Sequence, residues 1–202
     1  MRGLRPQSCQ PSVWVSLDSL PVRNRLQGLR HASESALASR QNRTVAVGLV
    51  VAAAALYHWL QSWGRATPWI FPDEARFAEA SRAVVDSGTP EVRGQFEVLG
   101  SLHAYLTAPA WALADVADAL SGVALINSVA FASAAIPVYL LARTLVGPWS
   151  GLAAAAAAVA IPAAFYTSTL MAEPLAFPLV MWAAYGSARW LRDRSLAVSY
   201  TH

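Results

Sequence analysis

From Thr44 to Trp63 the chain carries no Asp, Glu, Lys or Arg. A helix needs about 20 predominantly apolar residues to cross a hydrocarbon core, and this run has that length. A helix satisfies its own backbone hydrogen bonds, so it is the natural form for such a run where water is absent. Hydrophobic residues make up 55% of the sequence and charged residues 13%, which is more apolar and less charged than an ordinary soluble domain. The expected class is therefore all-α, a polytopic membrane protein.

Charge sets the expected orientation. The net charge of +3 comes from arginine alone, since the sequence contains no lysine. Seven arginines, at positions 2, 5, 23, 25, 30, 40 and 43, precede the first apolar run, against only Asp18 and Glu34. Positive segments stay on the cytoplasmic side, so residues 1–43 are expected to form a cytoplasmic tail, disordered or with a short surface helix. The remaining arginines stand in short clusters between apolar runs, as topology signals do, and no nucleic-acid partner is expected. A single cysteine, Cys9, cannot form an internal disulfide.

The loop from Gly64 to Gly100 is slightly acidic and falls on the outer side. Pro72, the acidic first turn and the spacing of Phe77, Ala80 and Val84 predict a helix over Asp73 to Ser87, stopped by Gly88 and Pro90. Ser101 to Leu120 is apolar but carries His103, Asp115 and Asp118. If it crossed, Arg143 and the cluster Arg189, Arg192 and Arg194 would move outside, so it is expected to lie in the interface. Further spans are then expected at about Val123 to Leu141, Ser150 to Tyr166 and Met171 to Trp190. The result is about four transmembrane helices and two interfacial helices in the first external loop, with residues 44–194 forming the membrane module and 195–202 an unassigned tail.

This topology brings Asp73, Glu74 and Glu173 to the outer side, although they are distant in sequence. A carboxylate at a membrane boundary is costly and is a candidate for function; in the first turn of a helix it can equally be a cap favoured by the helix dipole. Arg76 could pair with Glu74 or with a lipid phosphate. His103 and Tyr105, at the start of the second surface helix, fit the headgroup level, as do the tryptophans near span ends. No Gly-rich phosphate loop, metal-spaced His or Cys cluster, or Ser-His-Asp set is evident.

Several stretches resemble the amino-terminal part of the GT-C membrane glycosyltransferases, the superfamily of the protein O-mannosyltransferases and aminoarabinose transferases. They are Phe71-Pro72-Asp73-Glu74-Ala75-Arg76-Phe77, Asp86-Ser87-Gly88, Val138-Tyr139-Leu140-Leu141-Ala142-Arg143, and Phe165-Tyr166-Thr167-Ser168 leading to Ala172-Glu173-Pro174-Leu175. The resemblance implies an enzyme of a bacterial cell membrane. It would transfer a sugar from a polyprenyl-phosphate donor to a hydroxyl acceptor at the outer face. Asp73 would then be the general base, with Glu74, Arg76, His103 and Glu173 binding or supporting the substrate. Arg76, or a divalent cation held by acidic residues such as Glu74 and Glu173, would balance the leaving phosphate.

Two features depart from the family pattern. Gly100-Ser101-Leu102-His103-Ala104-Tyr105 stands where relatives have a Pro-containing motif. Relatives also have many more spans, so this sequence is expected to be an amino-terminal portion, inactive alone. The alternative is a non-catalytic membrane scaffold or transport component whose carboxylates are structural caps.

Overall fold

The computed structural model describes residues 21–64, 71–98, 100–113 and 115–198. The chain divides into two compact units, Met1–Asn42 and Arg43–His202. Helix α1 is assigned over Pro21–Gln61. Where the sequence predicts a disordered tail or a short surface helix, residues from Pro21 onward are thus helical; residues 1–20 lie outside the described residues. The physical reason is visible in the chain: after Pro21 no proline interrupts the segment, and Leu, Arg, Gln, Ala and Glu dominate it, all good helix formers.

In the second unit the order is α2 (Pro72–Ser87), a two-stranded antiparallel hairpin of β1 (Glu91–Val92) and β2 (Gln95–Phe96), α3 (Ser101–Trp111), α4 (Val116–Ser133), α5 (Ala135–Val146), α6 (Pro148–Val159), a 3-10 helix (Pro162–Ser168) and α7 (Glu173–Val198). Helix α2 has the predicted signals. Pro72 opens it, and Gly88 at φ 81° closes it with its N–H on the carbonyl of Val84 at 3.0 Å.

The apolar stretch Ser101 to Leu120 is two helices, not the single interfacial one expected. Pro109 has no N–H to donate and α3 ends two residues later. Asp115 then caps a new helix by accepting from the Ala117 N–H at 2.6 Å. At 11 residues α3 is about 16 Å long, too short to cross a bilayer core.

Among the described residues, two helices are long and apolar enough to cross a membrane: Ser39–Gln61, and Val116–Val146, which includes α4 and α5. The second is interrupted at Ala134, one turn before Pro137, whose missing N–H leaves the Ser133 carbonyl without its helical donor. Helix α6 and the 3-10 helix together would make a third crossing, but they are bent by 55° and not straight through Tyr166 as the sequence suggests. Pro162 causes that break. Near it, the buried His58 ring of α1 sits with Nε2 2.9 Å from the Val159 carbonyl, an oxygen released at the helix end. The hydroxyls of Thr167, Ser168 and Thr169 each donate to the carbonyl three residues back, at 2.7, 2.8 and 2.7 Å. Irregular backbone in an apolar setting is satisfied this way. Helix α7 is long, but it is not among the helices apolar enough to cross.

One apolar core joins Val47 of α1 to Phe131, Tyr139, Ala155 and Val159, with Phe177 of α7 stacked on Phe131 at 5.1 Å between ring centres. Helices α5 and α6 approach closely because residue 151 is glycine. A Cβ there would stand 2.9 Å from the Arg143 backbone nitrogen. A second core, of Ala110, Leu120, Val123 and Leu170, lies under α2 and α3. Leu49, Leu56, Leu145, Val180 and Leu191 remain exposed, as side chains facing lipid would be.

Candidate functional site at the first turn of α2

Consecutive residues on a helix point about 100° apart, so two adjacent carboxylates cannot share an environment. Asp73 is exposed, whereas Glu74 is fully buried at 0%. Its Oε2 accepts the N–H of Leu170, 96 residues away, at 3.0 Å. Glu74 is thus more than a first-turn cap: it ties α2 to the connection between the 3-10 helix and α7.

The other face of the same peptide group is also held. The Thr169 carbonyl accepts from Asn127 Nδ2 at 2.8 Å, and Thr169 C=O and Leu170 N–H belong to one peptide bond. Asn127 is buried on α4, and with its Nδ2 committed to Thr169 its Oδ1 faces His103 Nε2 at 3.2 Å. That arrangement places the proton on Nε2. Carboxylate, peptide, amide and imidazole form one continuous polar line through an apolar region.

His103 is 3% exposed and packed inside the protein, its ring centre 5.4 Å from that of Phe77. Burial lowers its pKa from the ordinary 6.5, and the hydrogen bond to Asn127 offsets this in part. The neighbouring Tyr105 is exposed. Ser81 and Thr107 join α2 to α3 through a hydroxyl pair at 2.9 Å.

Arg76 does not pair with Glu74. Its Nε donates to Glu97 Oε2 at 2.6 Å, and Glu97 is 5% exposed while the Arg76 side chain is 46% exposed. Beyond this pair, Glu79 Oε1 accepts the backbone N–H of Arg93 at 2.7 Å and fastens the hairpin to α2. A cleft of about 740 Å³ opens between helix and hairpin, with Pro72, Arg76 and Glu79 on one wall and Arg93, Gln95 and Phe96 on the other.

Glu173 is exposed in the first turn of α7, three residues after the Leu170 held by Glu74. Among the described residues no group of three or more His, Cys, Asp or Glu side chains is arranged to hold a metal ion. Glu74 Oε2 accepts a peptide N–H and Glu97 Oε2 a guanidinium N–H, whereas Glu74 Oε1 is buried without a hydrogen bond among the described residues.

Sequence reasoning missed Asn127 and the partner of Arg76. Asn127 had a usable signal, because an amide inside a long apolar helix is costly unless it meets a polar partner. Glu97 had none, since only the fold of the hairpin carries it back to α2. Comparison of the chain with protein-family models, curated proteins and solved structures finds no match.

Proposed function

We propose that this protein is a membrane glycosyltransferase module of the GT-C kind, moving a sugar from a polyprenyl-phosphate donor to a hydroxyl acceptor at the outer membrane face. Asp73 takes the acceptor proton as the new glycosidic bond forms and the polyprenyl phosphate departs with the bond's electron pair. The observation that carries this reading is the contrast within one helical turn. Glu74 is buried and fastened to Leu170, so the turn is held in place, and Asp73 beside it is left exposed. A general base needs that combination of fixed position and access. In this reading the bent pair makes a third crossing beside Ser39–Gln61 and Val116–Val146 and the less apolar α7 a fourth, the amino terminus is cytoplasmic, and α2 and α3 lie along the outer surface.

The test is Asp73→Asn in the native gene product, assayed for sugar transfer from a polyprenyl-phosphate donor in membranes. Turnover is expected to fall by ~10²–10⁴-fold with membrane insertion unchanged, since the amide keeps the shape but cannot take the proton. Normal turnover in that variant removes the assignment. The scaffold reading draws on the same Glu74–Leu170 bond, which is structural in either case; it predicts that no sugar transfer depends on Asp73.

A further inference from the structure

Asp73 stands in a helical turn with little of its own to hold it. The first turn of a helix makes few backbone bonds, and Phe71, at the N-cap of α2, makes no side-chain cap. Glu74 reaches out of this turn, its Oε2 accepting the Leu170 N–H at 3.0 Å. The place of Asp73 therefore depends on where that N–H points.

The Thr169–Leu170 peptide lies in a turn between the 3-10 helix and α7, where no helical ladder fixes its plane. A peptide group is planar and rigid, with N–H and C=O on opposite edges, so holding one edge aims the other. Asn127 Nδ2 holds the C=O at 2.8 Å. If the peptide turned over, its carbonyl would face the Glu74 carboxylate and its N–H the Asn127 amide N–H, and like would meet like at both ends. The Asn127 amide is itself kept from turning. Its Oδ1 meets His103 Nε2 at 3.2 Å, and the buried Nδ1 has no hydrogen-bond partner among the described residues, so a proton there would be stranded and the donor stays on Nε2. We infer that Asn127 is a positioning residue for the proposed sugar transfer: through the Thr169–Leu170 peptide and Glu74 it fixes where Asp73 stands relative to Glu173 at the start of α7. His103 serves it by orienting its amide. This role rests on Asp73 being the base, while the clamp can be read without substrate.

Spin labels are attached to Asp73→Cys with Glu173→Cys, and separately to Asp86→Cys with Asp118→Cys, in the full chain carrying Cys9→Ser, since Cys9 is its one cysteine. All four labelled positions are exposed. In lipid nanodiscs each pair is expected to give one narrow distance. Asn127→Leu is expected to lose the narrow distance of the Asp73–Glu173 pair and keep that of the Asp86–Asp118 pair, because only the first turn of α2 is released. In membranes, kcat for transfer from a polyprenyl-phosphate sugar is expected to fall about ten- to a hundredfold with KM unchanged, as a displaced base requires. Added to Asp73→Asn, Asn127→Leu should cost nothing more. Asn127→Ser, polar but too short to span His103 and Thr169 together, is measured alongside, so a folding defect in one variant leaves the other to decide. An unchanged Asp73–Glu173 distance, equal broadening of both pairs, a rise in KM alone, or a further loss in the Asp73→Asn background overturns the role. Normal turnover of Asp73→Asn removes the base but leaves the label distances as they are, so the two failures are told apart.

Discussion

The side chain of His103 shows how burial changes the meaning of a residue. Its ring lies between Phe77 and Asn127 and its pKa is lowered by desolvation, so the folded protein holds it neutral. In the unfolded chain the imidazole takes up a proton near 6.5, earlier than in the fold. The unfolded state therefore binds more protons as pH drops, and stability is expected to be full above about 6.5 and to fall below it until the lowered folded pKa is reached. Thermal unfolding in detergent between pH 7.5 and 5 measures this. His103→Gln keeps an amide donor for Asn127 but has no proton to gain, and this part of the pH dependence should vanish with it.

At the scale of elements, α3 and the junction of α5 with α6 carry the clearest expectations. Because α3 ends at Trp111 and α4 starts only after the Asp115 cap, the chain between Ser87 and Asp118 is not expected to cross the bilayer. Cysteines at these two exposed positions should react with an impermeant reagent from the same side of sealed vesicles. Labelling from opposite sides would place a crossing within α3 and separate Asp73 from Glu173. The α5–α6 contact is limited by Gly151, where a Cβ meets the Arg143 backbone nitrogen at 2.9 Å and its Cα at 3.0 Å. Backbone cannot step aside as a flexible side chain can, so Gly151→Ala is expected to destabilise by about 1–3 kcal/mol, read as a lower Tm.

Within the second unit, the Thr169–Leu170 peptide is where α2, α4 and the approach to α7 are joined. Glu74 grips its N–H and Asn127 its C=O. Glu74→Leu and Asn127→Leu should each cost about 1–3 kcal/mol by stranding one buried half of the peptide. Since both act on the same group, the double variant should cost clearly less than the two single costs added together. Denaturation of the four proteins in detergent measures the coupling, and strict additivity would mean that the two grips are independent.

The sequence by itself determined the local structure. Pro72 and Gly88 bound α2, the charge-free run after Thr44 marks a helix long and apolar enough to cross a membrane, and the paired carboxylates of Asp73 and Glu74 mark the turn to watch. These are legible because they depend on neighbours within a turn or two, through proline geometry, left-handed glycine and apolar length. Which of the two carboxylates faces inward was not legible, nor was the burial of His103, nor the choice of Glu97 over Glu74 as the partner of Arg76. Those were decided by tertiary structure, because each depends on a group brought from far along the chain: Leu170 to Glu74, Asn127 to His103, and Glu97 to Arg76 through the hairpin. A buried polar atom must find a partner wherever packing supplies one, and only the packed helices determine where that is.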